Sequence, residues 1–225
     1  ERWLMTADIN SDGLDDVLVY WTEFDEDVPY PLEVLLNDGS SGLEKASDRV
    51  FLDGQPSLLN LPADPIIVKD LNGDGKNDLF VIVAGKDIDP FPGAQNMLFL
   101  SNNEGGLTDS TVNLPALMDF PHSAASADVD QDGDIDIFVG NIWAGQMIPP
   151  QLLINDGNGS FTQANHLLPE KISLQQNGYT ACEFVDVNQD SYPDLVLADA
   201  GDDIPNPLSD PDSQILLNDG TGKFT

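Results

Sequence analysis

Oxygen-bearing side chains recur at alternate positions in four nine-residue segments. They are "DINSDGLDD" (residues 8–16), "DLNGDGKND" (70–78), "DVDQDGDID" (128–136) and "DVNQDSYPD" (186–194). Donors at positions 1, 3, 5, 7 (through the backbone carbonyl) and 9 can wrap a hard cation of Ca²⁺ size, which takes about six to eight oxygens. The first segment offers Asp8, Asn10, Asp12, the Leu14 carbonyl and Asp16, and the second offers Asp70, Asn72, Asp74, the Lys76 carbonyl and Asp78. The third offers Asp128, Asp130, Asp132, the Asp134 carbonyl and Asp136, and the fourth Asp186, Asn188, Asp190, the Tyr192 carbonyl and Asp194. Position 6 is glycine in three of them, which lets the backbone reverse through a conformation costly to a residue with a Cβ. Ser191 stands there in the fourth, with an expected strain of about 1 kcal/mol that makes this the weakest of the four sites.

Electrostatics favours a cation. The third segment crowds five aspartates into nine residues, and each close carboxylate pair costs about 1 kcal/mol at 4 Å even in water. Mg²⁺ suits the pattern less, because it prefers a small octahedral shell rich in water. A helical EF-hand needs a bidentate Glu at position 12. Here that position holds Val19, Val81, Val139 and Leu197. A polar turn between strands is the remaining reading for any one segment alone, and fourfold recurrence argues against it.

The elements that must position these loops follow from the repeat. The segment starts are separated by 62, 58 and 58 residues. An apolar run follows each one: "VLVYW", "LFVIV", "IFVG" and "LVLA". Further on come "VLLNDGSSGLE", "LFLSNNEGGLT", "LLINDGNGSFT" and "ILLNDGTGKFT", apolar strands running into turn-forming Asn, Asp and Gly. Each unit reads as strand, acidic loop, strand, longer loop, strand, tight turn, strand. Four short antiparallel strands per repeat are the blade of an all-β β-propeller. A parallel solenoid would need a shorter period, and no segment has a helical one. The expected domain is single, with repeats at about 1–62, 63–120, 121–178 and 179–225 and the last incomplete, forming a closed four-bladed ring or part of a larger propeller. An unpaired last strand would be open to strand addition from further chain or another molecule.

With these loops and their spacing, the chain resembles the FG-GAP/VCBS repeat family, best known from integrin-type propellers and bacterial secreted proteins. The loop from Asp70 to Leu79 carries the likeness most clearly, and "DPFPGAQNMLFLSNNEGGLT" and "LLINDGNGSFT" look like the family's intervening segments. The resemblance spans all four units and implies a β-propeller with structural calcium, up to four ions, in loops joining adjacent strands of a blade. Literal Phe-Gly and Gly-Ala-Pro signatures are absent, so the VCBS-like branch fits better than the integrin one.

Composition narrows the function. Forty acidic and eight basic residues give a formal charge of −32, which excludes a nucleic-acid binder or a ligand of anionic membranes. No apolar run is long enough to span a bilayer. Cys182 is alone, so neither a disulfide nor a thiolate metal site is expected. The chain opens at Glu1 without a signal peptide, as a processed or excised piece would. His122 and His166 have no nucleophile in a recognisable motif, and the clearly placed acids are committed to metal. The expected protein is non-catalytic. Loops of this kind suit millimolar extracellular calcium, so the expected place is extracellular, secreted or at the cell surface.

The second loops, "TEFDEDVPYP", "GKDIDPFPGAQ", "NIWAGQMIPPQ" and "GDDIPNPLSDPDSQ", fall on one face by repeat equivalence. They carry Phe24, Tyr30, Phe91, Trp143 and Met147. These are either a binding surface for protein or sugar on proline-stiffened loops or packing under their own loops. "NGS" at 158–160 is one glycosylation sequon. The expected role is adhesion, protein–protein interaction or surface assembly with a protein or glycan partner at the cell surface or in the matrix. A lectin and an accessory domain of a secreted enzyme or filament are the alternatives.

Overall fold

In the computed structural model the described residues are 2–21, 29–40, 42–58, 66–86, 89–102, 105–142, 149–173, 178–199 and 213–225. The first unit runs through β1 (Arg2–Ala7), β2 (Asp16–Trp21), β3 (Tyr30–Pro31), β4 (Glu33–Asn37), β5 (Leu43–Lys45), the one-turn helix α1 (Ser47–Val50) and β6 (Ser57–Leu58). Its main sheet has the antiparallel order β1-β2-β4-β5, with β3 and β6 paired to each other. The second unit has β7 (Ile66–Lys69), β8 (Asp78–Val81), β9 (Met97–Ser101) and β10 (Leu107–Asp109), adjacent in that order. The third repeats this with β11 (Pro121–Ala127), β12 (Asp136–Asn141), β13 (Gln151–Asn155) and β14 (Phe161–Gln163). The fourth has β15 (Tyr179–Val185), β16 (Asp194–Asp199) and β17 (Gln214–Leu216), and a bridge between Asn218 and Phe224 stands where the other units have a fourth strand. Each sheet is an up-and-down meander of the kind that forms a propeller blade.

Strands apolar on both faces bury both only if another sheet covers each side, and the three main clusters obey this. Leu18, Tyr20 and Val34 of the first sheet pack on Leu79, Val81 and Phe99 of the second. Phe80, Ile82 and Leu98 on the other face of the second sheet meet Ile137, Val139 and Leu153 of the third. Phe138 and Leu152 of the third then meet Leu195, Leu197 and Leu216 of the fourth. Each blade thus presents a leading face to the blade before it and a trailing face to the blade after it.

One buried polar network joins the second blade to the third. Ala94 and Asp119 exchange backbone hydrogen bonds of 2.9 Å. Asp119 accepts from the Asn96 and Asn141 amides at 2.8 and 3.0 Å. A Cβ on Gly93, at φ +69°, would lie 2.5 Å from the Asp119 carbonyl oxygen, so only glycine fits. Burial pushes the Asp119 carboxyl up to about 6 against the lowering effect of its two amide donors. A carboxyl with a raised folded pKa takes up a proton in the native state before the unfolded chain does, so acidification stabilises. From pH 7 to pH 5 this group contributes about 1 kcal/mol. Urea unfolding at both pH values is expected to show that gain in the wild type over Asp119→Asn; equal changes in both proteins would refute it.

Candidate metal loops

The four acidic segments fold alike, each joining the first two strands of its blade. The position-1 carboxylate accepts the backbone N–H of position 6: Gly13 to Asp8 at 2.9 Å, Gly75 to Asp70 at 2.8 Å, Gly133 to Asp128 at 3.0 Å and Ser191 to Asp186 at 2.9 Å. Position 3 accepts from position 5, and position 5 from position 7, at 2.9–3.3 Å throughout. These turns give the four loops one backbone shape, and in the third they leave the carboxylates of positions 1, 3 and 9 together, with Asp132 at position 5 outside that group. Position 6 has positive φ in every loop, including Ser191 at 74°, the strained serine expected from its lost glycine. Position 4 is left-handed too: Ser11, Gly73, Gln131 and Gln189 have φ of 59°, 74°, 64° and 66°. The second loop is the only one with glycine at both positions, so its backbone carries the least strain of the four.

Position 9 does more than offer a ligand. Asp16, Asp78, Asp136 and Asp194 are fully buried. One oxygen of each accepts the N–H of position 2 in its own loop, at 2.8–3.0 Å. The other accepts an N–H at the end of the third strand, from Asn37, Ser101, Asn155 and Asn218, at 2.6–2.9 Å. The carboxylate therefore ties the acidic loop to the third strand of its sheet. At position 12, Val81, Val139 and Leu197 are buried strand residues.

The third loop differs at one atom. In the other three loops Oδ1 of position 1 accepts the position-5 N–H, at 2.9, 3.2 and 3.1 Å. Asp128 Oδ1 is buried without a hydrogen-bond partner. Ligand atoms of Asp128, Asp130 and Asp136 lie within 4.8 Å of one another, and among the described residues this is the acidic cluster able to hold a metal ion. Burial pushes Asp136 up to about 7, with Asp130 and Asp132 adding to the rise. Burial and the Asp132 charge raise Asp130 as well. A cation there would partner the orphaned oxygen and offset the crowding, so the donor set fits a hard divalent ion. Lys76 does not fill the second loop with its own charge, since its Nζ donates to the Asn102 carbonyl at 2.7 Å.

Some contributors had no metal-like signature. Asn155 and Asn218, read as turn residues, send their amides into the preceding blade, to the Leu71 and Val129 carbonyls at 2.8 Å. Asn77 does the same toward the Asp8 carbonyl at 2.7 Å. The second and third loops are thereby tied to the next blade at position 2, and the first at position 1. The hairpin turn of that blade lies close as well, since a Cβ on Gly222 would sit 3.3 Å from that of Asp130.

The second loops are described in part. Tyr30 stacks on Trp21 with ring centroids 5.8 Å apart, and the Arg2 guanidinium sits 5.2 Å over Trp21. Phe91 packs edge-on against Phe120 of the next blade at 5.8 Å, and Phe120 stacks on His122. Phe24, Trp143 and Met147 lie outside the described residues.

Repeated antiparallel meanders, each with an acidic loop between its first two strands, make an all-β chain consistent with a blade-based propeller. Residues 70–139 match the family model for the FG-GAP-like repeat, from the first aspartate of the second loop into β12. Among solved structures, the chain is similar to one described as showing specific recognition of non-reducing terminal N-acetylglucosamine by an Agrocybe aegerita lectin, with TM-score 0.56 and 16% identity. That alignment covers 100% of this chain and 51% of the other, so the chain spans about half the lectin's length. A Photorhabdus luminescens Tc holotoxin pore aligns at TM-score 0.47 and 16% identity over 94% of this chain and 9% of that one. At these identities the likeness is one of fold. Comparison with curated proteins gives no match.

Proposed function

We propose that the protein is a non-catalytic, extracellular binding module whose blade loops are stiffened by calcium, serving adhesion or surface assembly. The observation that carries the reading is the orphaned Asp128 oxygen beside Asp130 and Asp136. A buried acceptor without a partner costs about 1–3 kcal/mol, and a bound cation removes that cost. The loops hold their donors between two strands, so the ion's role is to fix the loop and its neighbouring blade. Isothermal titration is expected to show millimolar or tighter calcium binding, at up to four sites per chain. Asp128→Ala is expected to lose one site. No binding at millimolar calcium would overturn the reading.

Glycan binding is the second reading, supported by the fold likeness to a lectin. The ligand face would be the second loops, where Trp143 and Phe91 offer ring surface for sugar stacking. Glycan-array binding that falls severalfold on Trp143→Ala favours this reading, and a blank array sinks it.

A further inference from the structure

The first and last blades each leave open the face that every other blade covers. At the central trailing position of the third strand, Val34, Leu98 and Leu152 are 0% exposed, whereas Ile215 in the fourth blade is 60% exposed. At position 2 of the acidic loop, Ile9, Leu71 and Val129 are buried, and Val187 is exposed. Val185 and Leu217 extend the same open surface. The leading face of the first blade mirrors this. Leu107 and Phe161 are buried where Leu43 is 52% exposed, and Ile66 is 6% exposed where Leu4 is 69%. These are the two halves of the joint that closes three times within the chain.

A polar contact follows the same pattern. Asn155 and Asn218 each donate twice, once within their own blade and once to the position-2 carbonyl of the preceding blade. Asn37 is their equivalent in the first blade, and among the described residues its amide donates within the blade, to the Asp15 carbonyl at 3.1 Å. The matching carbonyl on the open trailing face is that of Val187. The fourth acidic loop is also barer than the rest: Asp186 and Asn188 are exposed, whereas the corresponding residues of the other loops are half-buried.

We infer that two copies of this chain join head to tail, the trailing face of the fourth blade of each covering the leading face of the first blade of the other. The contact is heterologous, and it closes under a two-fold axis because each copy supplies one face of each kind. Two copies make a ring of eight blades, within the range of about four to eight that propellers adopt, and three copies would exceed it. The ring buries Ile215, Val187, Leu4 and Leu43 as their equivalents are buried, and brings Asn37 to the partner's Val187 carbonyl.

Sedimentation equilibrium of the 225-residue chain at physiological salt, where charge repulsion is screened beyond about 8 Å, tests this. Twice the chain mass of 24.3 kDa is expected. A monomer overturns the second copy as occupant and assigns both faces to blades outside these residues, and a ladder of larger species overturns the closed ring. Ile215→Asp and Leu43→Asp should each give a monomer, with circular-dichroism melts confirming that both fold. An equimolar mixture of the two retains one intact joint and should recover dimers at high protein concentration. A mixture that stays monomeric, or a single variant that dimerises as the wild type does, overturns the head-to-tail arrangement.

Discussion

Replacing Asp78 with alanine in calcium-free buffer is expected to lower the unfolding free energy by about 3 kcal/mol. Both Asp78 oxygens accept backbone N–H groups, from Leu71 at 2.8 Å and Ser101 at 2.6 Å, and the residue is fully buried. Alanine leaves two buried donors without acceptors, at about 1–3 kcal/mol each. Part of this is offset, because burial raises the Asp78 carboxyl and its charge is already penalised in the native state. The loss is large against the roughly 5–15 kcal/mol that holds a typical domain together. Asp78→Asn keeps one acceptor but turns an NH₂ toward the other donor, so a loss about as large is expected. Asp12→Ala, at an exposed position-5 site, should cost about 1 kcal/mol. Urea unfolding in EGTA distinguishes these cases. A loss below that of Asp12→Ala would mean that the strands hold the loop without the Asp78 strut.

The ease of reading these features from sequence followed the range of the interactions. The acidic loops, the strands after them and the strain at Ser191 depend on residues within one nine- to twelve-residue window, and each is found where the spacing puts it. The left-handed backbone at Ser11, Gln131 and Gln189 left no such trace, since a polar residue tolerates that conformation at modest cost and only glycine advertises it. The second role of Asp78 depends on Ser101, at the end of the neighbouring strand and 23 residues further along the chain. The Asn155 and Asn218 amides reach carbonyls in a different blade, while their Asn-Asp-Gly context accounts for them fully as turns. Asp119, Asn96 and Asn141 stand in three separate segments, and only the stacking of the second and third blades unites them. What stacks beyond the first and fourth blades is written in exposure alone, because the end blades have the same apolar pattern as the middle ones.

Calcium at about ten times its dissociation constant is expected to stabilise the protein by about 1.4 kcal/mol per occupied loop. Four loops acting independently would raise the melting temperature by about 10–20 °C for a domain of this size. The pH dependence is the sharper test, because the stabilisation that calcium adds runs against the pH dependence of the calcium-free protein. In the calcium-free protein Asp136 and Asp119 are raised to about 7 and about 6, and burial raises Asp16 and Asp78 too. The native state then binds more protons than the unfolded chain, so stability grows as pH falls from 8 toward 5. Calcium requires ionised ligands, and a proton on Asp136 must leave before the third loop closes around the ion. Its affinity should drop about tenfold between pH 8 and pH 6. With calcium near its dissociation constant, the stabilisation it adds therefore shrinks over the interval in which the calcium-free protein gains. Calorimetric melts at pH 6, 7 and 8, in calcium and in EGTA, should converge toward acid and diverge toward base. Parallel curves would exclude a proton-linked ion at Asp136, and coincident ones would exclude calcium from all four loops.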